Sequence, residues 1–554
     1  MPHGLNLVSI IFSFIVLFSA QDRTGLTITS KSELVVVPVT VTSNGAPVRG
    51  LHASDFVLKK DGKLQGVDTF EEVVVSPGGP FPRAASSMRV AQNYVTSGSQ
   101  HQDVLILLLD YLNASWSSSL RIRSYLRDIA LELEKQKVSF SVCLLTTKGL
   151  IQVHSIGNTG EEFLAAVDEW QRSSAVERKT EQVEPSWSQP FEPLERVDTV
   201  QQLDSYSFAP GFKHIEKDYV AAGRLDMAAM TLQAFEQLAE GFKGVPGRKK
   251  LLWLTIGYSG MGIEPRTGKP SNVVLDFRMA EKSSRALRAL SEANMAVYPI
   301  DSNGVTNPEW EKKFQPALDR ISQRGSAIAE KSSNTALMLE FAAVTGGKNC
   351  TAHPDVCVTR AAEDAQSYYV LGFYLRGEAH KGWHKLAVNV KQNNLEVRAR
   401  SGFMVGDISE EKSVQDDMVL TALASAFDYT AIPLKLEWKL VDSEKGSAQQ
   451  IELTLTSPPG GIAITEQDWK MDVECLVYVR RVGNEEGESF PVRLSKKLMA
   501  GEARDLAGNG FRFKKVLDLP PGTYNARVLL RDNVAKKIGT VSTVVANFHT
   551  ADSK

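Results

Sequence analysis

Two acidic residues stand where apolar runs stop. Val104 to Leu109 reads VLILLL and ends at Asp110, and MAVYPI ends at Asp301. A carboxylate at the carboxyl end of a buried strand can ligate a hard cation, cap the following helix, or serve as an acid or base. Asn113 and Ser115 follow Asp110 closely and add two oxygen-bearing side chains. Used together, Asp110 and Asp301 would suit a hydrolase, but no base–nucleophile pair accompanies them. His380 and His384 are four apart, a zinc spacing only on a helix. They lie in GEAHKGWHKL between two expected strands, so zinc is not expected. The glycines of GYSGMG, Gly257 to Gly262, follow a strand, but no helix opens after them to supply phosphate-binding N–H groups. No P-loop, nucleophile elbow or dinucleotide fingerprint occurs, and no cofactor is expected.

The four cysteines divide into two kinds. Cys350 and Cys357 enclose the short polar loop TAHPDV and are expected to form a local disulfide in an oxidising compartment; two free thiols is the alternative. Cys143 in FSVCLLTT and Cys475 in VECLVYV read as buried strand thiols. An oxidising compartment is consistent with the amino terminus. Leu5 to Phe18 is an apolar run too short to span a bilayer, and it ends in Ser19-Ala20-Gln21. Residues 1–20 are therefore expected to be a secretory signal peptide, and the protein to be secreted or periplasmic. The readings that compete are an uncleaved anchor and a buried helix. No membrane span is expected in the mature chain. A formal net charge of −2 argues against nucleic acid as a partner, because phosphate binding needs a concentrated basic face.

The elements that must position these residues change character along the chain. Residues 31–75 are strand-like, with turns at Ser43-Asn44-Gly45 and Asp61-Gly62, and form an N-terminal β module. Residues 76–102 are rich in Gly, Pro, Ser and Gln and read as a linker. From 103 to 366 strands alternate with helices. The continuous apolar runs ending at Asp110, Thr255 and Asp301 suit strands buried on both faces. Within this stretch, residues 173–215 are poor in apolar residues and read as a mobile insertion, in which Trp187 and Phe191 are candidate partner anchors. Residues 367–405 return to strands, with Tyr368, Tyr369, Phe373 and Tyr374 as core aromatics, and 431–548 form a C-terminal β-sandwich. The expected class is α/β: a central, mainly parallel sheet with helices on both faces, flanked by N-terminal and C-terminal β-sandwich-like modules.

The combination of VPVTVTSNGAPVRGLHASDFVLKKDGK, DVLILLLDYLN, PGRKKLLWLTIGYSG, YPIDSNGV, AAVTGGK, YYVLGFY and VRARSGF, in that order, resembles the exported von Willebrand factor type A-related proteins of the acidobacterial type. The resemblance covers roughly residues 33–405. It implies a divalent cation above the strand ends, held by Asp-x-Ser-x-Ser, a Thr and a further Asp. Here Asp110 is in place, but Leu112 and Ala114 occupy the serine positions, and Thr255-Ile256-Gly257-Tyr258 lacks the second acid. Mg²⁺ keeps its water unless several ligands replace it. The site is therefore expected to be a degenerate remnant of Asp110, Asn113 and Ser115 that binds no metal. Asp301 ends a strand about 10 Å away, given a strand spacing of ~4.8 Å, too far to share an ion. The implied function is non-catalytic binding of another protein or a cell-envelope component, in the manner of an adhesion module. Asp110, Ser115, Tyr258, Asp301, Trp187 and Phe191 are the candidate binding surface; the alternative is the carboxylate hydrolase.

Overall fold

The structure is a computed structural model, and it describes residues 34–75, 89–94, 104–113, 116–157, 161–165, 169, 212–245, 247–255, 262–263, 270–271, 277–301, 338–339, 341–351, 353–364, 367–375, 382–405, 412–442, 449–465, 468–484 and 487–547. The expected signal segment, Ser115, Trp187, Phe191, Tyr258 and His380 lie outside these residues.

The amino-terminal strands find their main partners about three hundred residues later. One sheet has the order β16 (Glu396–Ala399), β1 (Leu34–Ser43), β14 (Ser367–Tyr374), β5 (Thr69–Val74), with β2 (Ala46–Pro47) on β1. The facing sheet runs β17 (Gly402–Val405), β15 (Gly382–Val390), β3 (Phe56–Lys60), β4 (Lys63–Gln65). Alternate valines of β1, namely Val35, Val37, Val39 and Val41, point inward to meet Phe56, Tyr369, Leu371 and Phe403. The segments expected as a separate N-terminal module and a separate 367–405 stretch are thus two halves of one sandwich. Neither half could bury its apolar face alone.

A second layer has the order β13 (Met295–Asp301), β10 (Lys249–Thr255), β7 (Val104–Asp110), β8 (Ser139–Thr146), β9 (Gly149–Gly157). Its first four strands pair parallel, and β9 returns antiparallel through a tight turn. Gly149 takes φ 97 there, a conformation that a Cβ disfavours. Leu105, Leu107 and Leu109 pack on α1 (Trp116–Gln136) and on the helix Pro354–Glu363. Val104, Ile106 and Leu108 face two further helices, α2 (Phe212–Phe242) and α3 (Phe277–Glu292); the helix Pro354–Glu363 is α4. Because α2 begins at Phe212, it takes in the last residues of the expected insertion. A two-stranded piece pairs β11 (Gly262–Ile263) with β12 (Pro270–Ser271).

The carboxy-terminal sandwich stacks two four-stranded sheets. The first is β22 (Phe511–Leu517), β19 (Gln449–Ser457), β18 (Lys435–Asp442), β6 (Val90–Gln92). The second is β21 (Gly487–Lys497), β20 (Lys470–Arg481), β23 (Gly522–Asp532), β24 (Lys537–Asn547). Leu436, Leu453, Val473, Val477, Val528 and Val541 meet between them. Two helices, α5 (Lys412–Ala424) and α6 (Ala500–Asn509), complete this part. The edge strand β6 lies in the segment expected to be a linker, which corrects that expectation for residues 90–92.

The class of the chain also needs correction. Among the described residues strand accounts for 49% and helix for 26%, and five of their six sheets are wholly antiparallel. An α/β class centred on one mainly parallel sheet does not describe this protein, which is predominantly antiparallel β in several sheets. The physical reason lies in how strands announce themselves. Strands buried on both faces read as loud continuous apolar runs, whereas half-exposed antiparallel strands alternate and gain their partners from afar.

Buried polar contacts join these parts. Arg248 donates to Thr40 Oγ1 of β1 at 2.8 Å and to the carbonyl of Gly346 at 2.6 Å. Arg398 of the first sandwich pairs with Asp364 just after α4, and Tyr298 of β13 donates to the same carboxylate. At the other junction, Phe242 of α2 packs on Phe427 with centroids 5.5 Å apart, and Thr430 N donates to Glu240 O at 3.2 Å.

Candidate functional site

Asp110 ends β7 with its side chain fully buried. The chain then turns, and Tyr111 and Leu112 both donate their N–H to the carbonyl of Leu145. That turn brings Asn113 back over the carboxylate. Asn113 donates from its backbone N–H and side-chain amide to Oδ1, both at 3.0 Å, and from the amide to Oδ2 at 2.9 Å. The neighbouring strand β10 supplies the rest. Thr255 Oγ1 donates to Oδ2 at 2.6 Å and Trp253 Nε1 at 3.0 Å. From α2, Thr231 Oγ1 meets the Asn113 amide at 3.0 Å while donating to its own helix at Met227 O.

A carboxylate offers about four lone-pair directions, and these contacts occupy them. Burial pushes the Asp110 carboxyl up, and hydrogen bonds from Thr255, Asn113 and Trp253 oppose that shift without cancelling it. The chemistry is therefore that of a closed structural cluster. It staples the ends of β7 and β10 to the turn after β7 and to α2. An incoming cation would have to displace these donors, of which Trp253 and Thr255 are buried and Asn113 is half-buried. Among the described residues no group of three or more His, Cys, Asp or Glu is placed to hold a metal ion.

Trp253 and Thr231 are functional parts of this cluster that the sequence reading missed. Trp253 lies in an apolar run, and its ring is held edge-on to Phe235 at 5.1 Å and Phe341 at 6.0 Å. Only its indole N–H is polar, and nothing in LLWLT says where that points. Thr231 offered a weak signal as the hydroxyl within the apolar stretch AAMTLQAF.

Asp301 ends β13, opposite Thr255 in the register. β10 stands between it and β7, so the structure does not bring Asp110 and Asp301 onto one site. Cys350 and Cys357 are bonded, with Cα atoms 5.9 Å apart. The bridge ties the segment beside β13, where Cys350 pairs with Ile300, to the first turns of α4. Cys143 and Cys475 are free and buried, and burial pushes both thiols up to about 12. His384 faces Asp61 Oδ2 at 2.8 Å from Nδ1 and stacks on Phe403. Tyr369 accepts from Leu51 N and donates to Val48 O inside the first sandwich. No helix among the described residues is long and apolar enough to cross a membrane.

No protein-family model and no characterised protein matches this chain. Among solved structures, the pilus adhesin SpaC of Lactobacillus rhamnosus GG in its open conformation aligns at 8% identity over 92% of this chain, with a TM-score of 0.20. A second crystal form of that adhesin aligns at 7% identity over 92% of this chain, with a TM-score of 0.21. The chain spans 57% and 59% of those two adhesin chains. Likeness at this level carries no argument about what the protein does.

Proposed function

We propose that the protein is an exported, non-catalytic binding module that engages another protein or a component of the cell envelope. The observation that carries this reading is the state of Asp110. Asp110, the strand-end carboxylate that both the metal and the hydrolase readings need, is fully buried and saturated by Asn113, Trp253 and Thr255. A general base must reach its proton, and a metal ligand must have a free lone pair; Asp110 has neither. The hydrolase reading also needs Asp301 beside it, and β10 intervenes. The bond between Cys350 and Cys357 supports export, since such bridges persist in oxidising compartments. Kinship with the von Willebrand factor A-related exported proteins is proposed on the seven ordered segments alone.

The test sets binding of the purified full chain to cell-envelope protein beside hydrolysis of chromogenic ester, phosphoester and glycoside substrates. Saturable binding without turnover supports the reading. Turnover that disappears in Asp110→Ala or Asp301→Ala, with circular dichroism unchanged, would replace it with the hydrolase.

A further inference from the structure

A small pocket opens at the seam between the first sandwich and the layer that contains β13. Leu290, Ser291 and Asn294 line it from one side, Thr345 from another, and Trp383 and Arg400 from the sandwich. Its free space suits roughly one or two water-sized groups.

Two polar groups on its wall lack partners. Arg400 lies between β16 and β17, is 8% exposed, and rests its guanidinium 5.9 Å above the Phe403 ring. Its Nε is buried without a hydrogen-bond acceptor. The Trp383 indole Nε1 is also buried and unpaired. The indole cannot easily turn away, because a Cβ on Gly402 would lie 2.3 Å from its Cζ2, which shows how closely ring and backbone pack.

The residues of the wall therefore include a buried cation and a second unpaired donor. Arg400 has no carboxylate at ion-pair distance among the described residues. Glu292 acts on it only from farther off, and that carboxylate is held by Lys243 at 2.6 Å and Arg288 at 2.7 Å. Asp364, the other acid of the seam, is taken by Arg398. Burial pushes Arg400 down to about 10. Water in the pocket could accept the two N–H bonds, but it would leave the buried charge uncompensated.

We propose that the seam pocket binds one small monovalent anion, of halide or formate size, between the Arg400 guanidinium and the Trp383 indole N–H. The bound ion would draw together strands of the sandwich and the α3–β13 side of the neighbouring layer. It would thereby stabilise their docking in proportion to its occupancy.

The test follows the melting temperature of the full chain as gluconate is replaced by chloride, bromide or formate at constant ionic strength. A bromide-soaked crystal measured at the bromine absorption edge locates the ion. The expected result is a saturable rise with each small anion and an anomalous peak beside Arg400. Arg400→Met abolishes the rise. Trp383→Phe keeps the ring, removes one hydrogen bond to the ion, and raises the half-saturating concentration about tenfold. Should Arg400→Met fail to fold, Trp383→Phe and the bromide peak decide. The proposal is overturned if the small anions act no differently from gluconate, if no peak lies in the pocket, or if Trp383→Phe titrates like the wild type.

Discussion

At Asp110 a single carboxylate holds together two strands, a turn and a helix. Without the acceptor, the buried Trp253 indole N–H and Thr255 hydroxyl each lose a bond, and the half-buried Asn113 amide keeps Thr231. Each stranded donor costs about 1–3 kcal/mol. We expect Asp110→Ala to lower stability by ~2–4 kcal/mol, measured by urea unfolding with unchanged slope. From the same saturation we expect Asp110 to take no divalent cation. Occupancy of a site a hundredfold above its Kd would add about 2.7 kcal/mol. We expect no shift in melting temperature with millimolar Mg²⁺ or Mn²⁺ and none with EDTA. A metal-dependent rise that Asp110→Ala removes would overturn the closed-cluster reading.

Among the elements, the short strand β6 has a larger role than its length suggests. Asn93, just beyond it, donates from Nδ2 to the carbonyls of Tyr429, Ile432 and Thr540, and accepts from Leu434 N at 2.7 Å. One side chain thereby joins β6, the segment entering β18, and β24. We expect Asn93→Ala to destabilise the carboxy-terminal sandwich by about 2–4 kcal/mol. Hydrogen exchange should show the loss in β18 and β24 before β7 or β10. The disulfide acts at the same scale. It closes a short loop, for which the chain-entropy relation gives about 2–3 kcal/mol. Reduction should lower the melting temperature accordingly. Alkylation of the native, unreduced chain should label neither Cys143 nor Cys475, because both thiols are buried and pushed up to about 12.

At the scale of the whole molecule, stability depends on how the layers dock. Burial alone would raise the Asp364 carboxyl, but Arg398 and Arg248 beside it outweigh that and hold it below its ordinary value. A depressed carboxylate contributes stability that is present above its unfolded pKa and is lost as pH falls through the folded one. The docking of the first sandwich on β13 and α4 should therefore weaken as pH drops below ~4. Asp364→Asn should be less stable at neutral pH and should lack that part of the acid-dependent loss in a pH series of urea midpoints. Equal acid slopes in the two proteins would show that the pair contributes nothing to docking.

The sequence alone determined what depends on nearest neighbours along the chain. The runs that became β7, β10 and β13, the turns at Gly45 and Gly62 and the Cys350–Cys357 spacing were all legible, because apolar runs, φ preferences and short loops are local properties. Pairing over long distances was not legible. The edge position of β6 and the joining of β1, β3 and β5 to β14, β15 and β16 leave no local trace, since an alternating strand reads the same whichever partner it finds. That is why the antiparallel character of the protein was underestimated. Likewise, LLWLT places an indole in a strand, but only the packing of Phe235 and Phe341 around it turns the Trp253 N–H onto Asp110. The tertiary structure decided that the strand-end carboxylate is a buried staple, because the donors that saturate it come from a turn and a strand brought together only by folding.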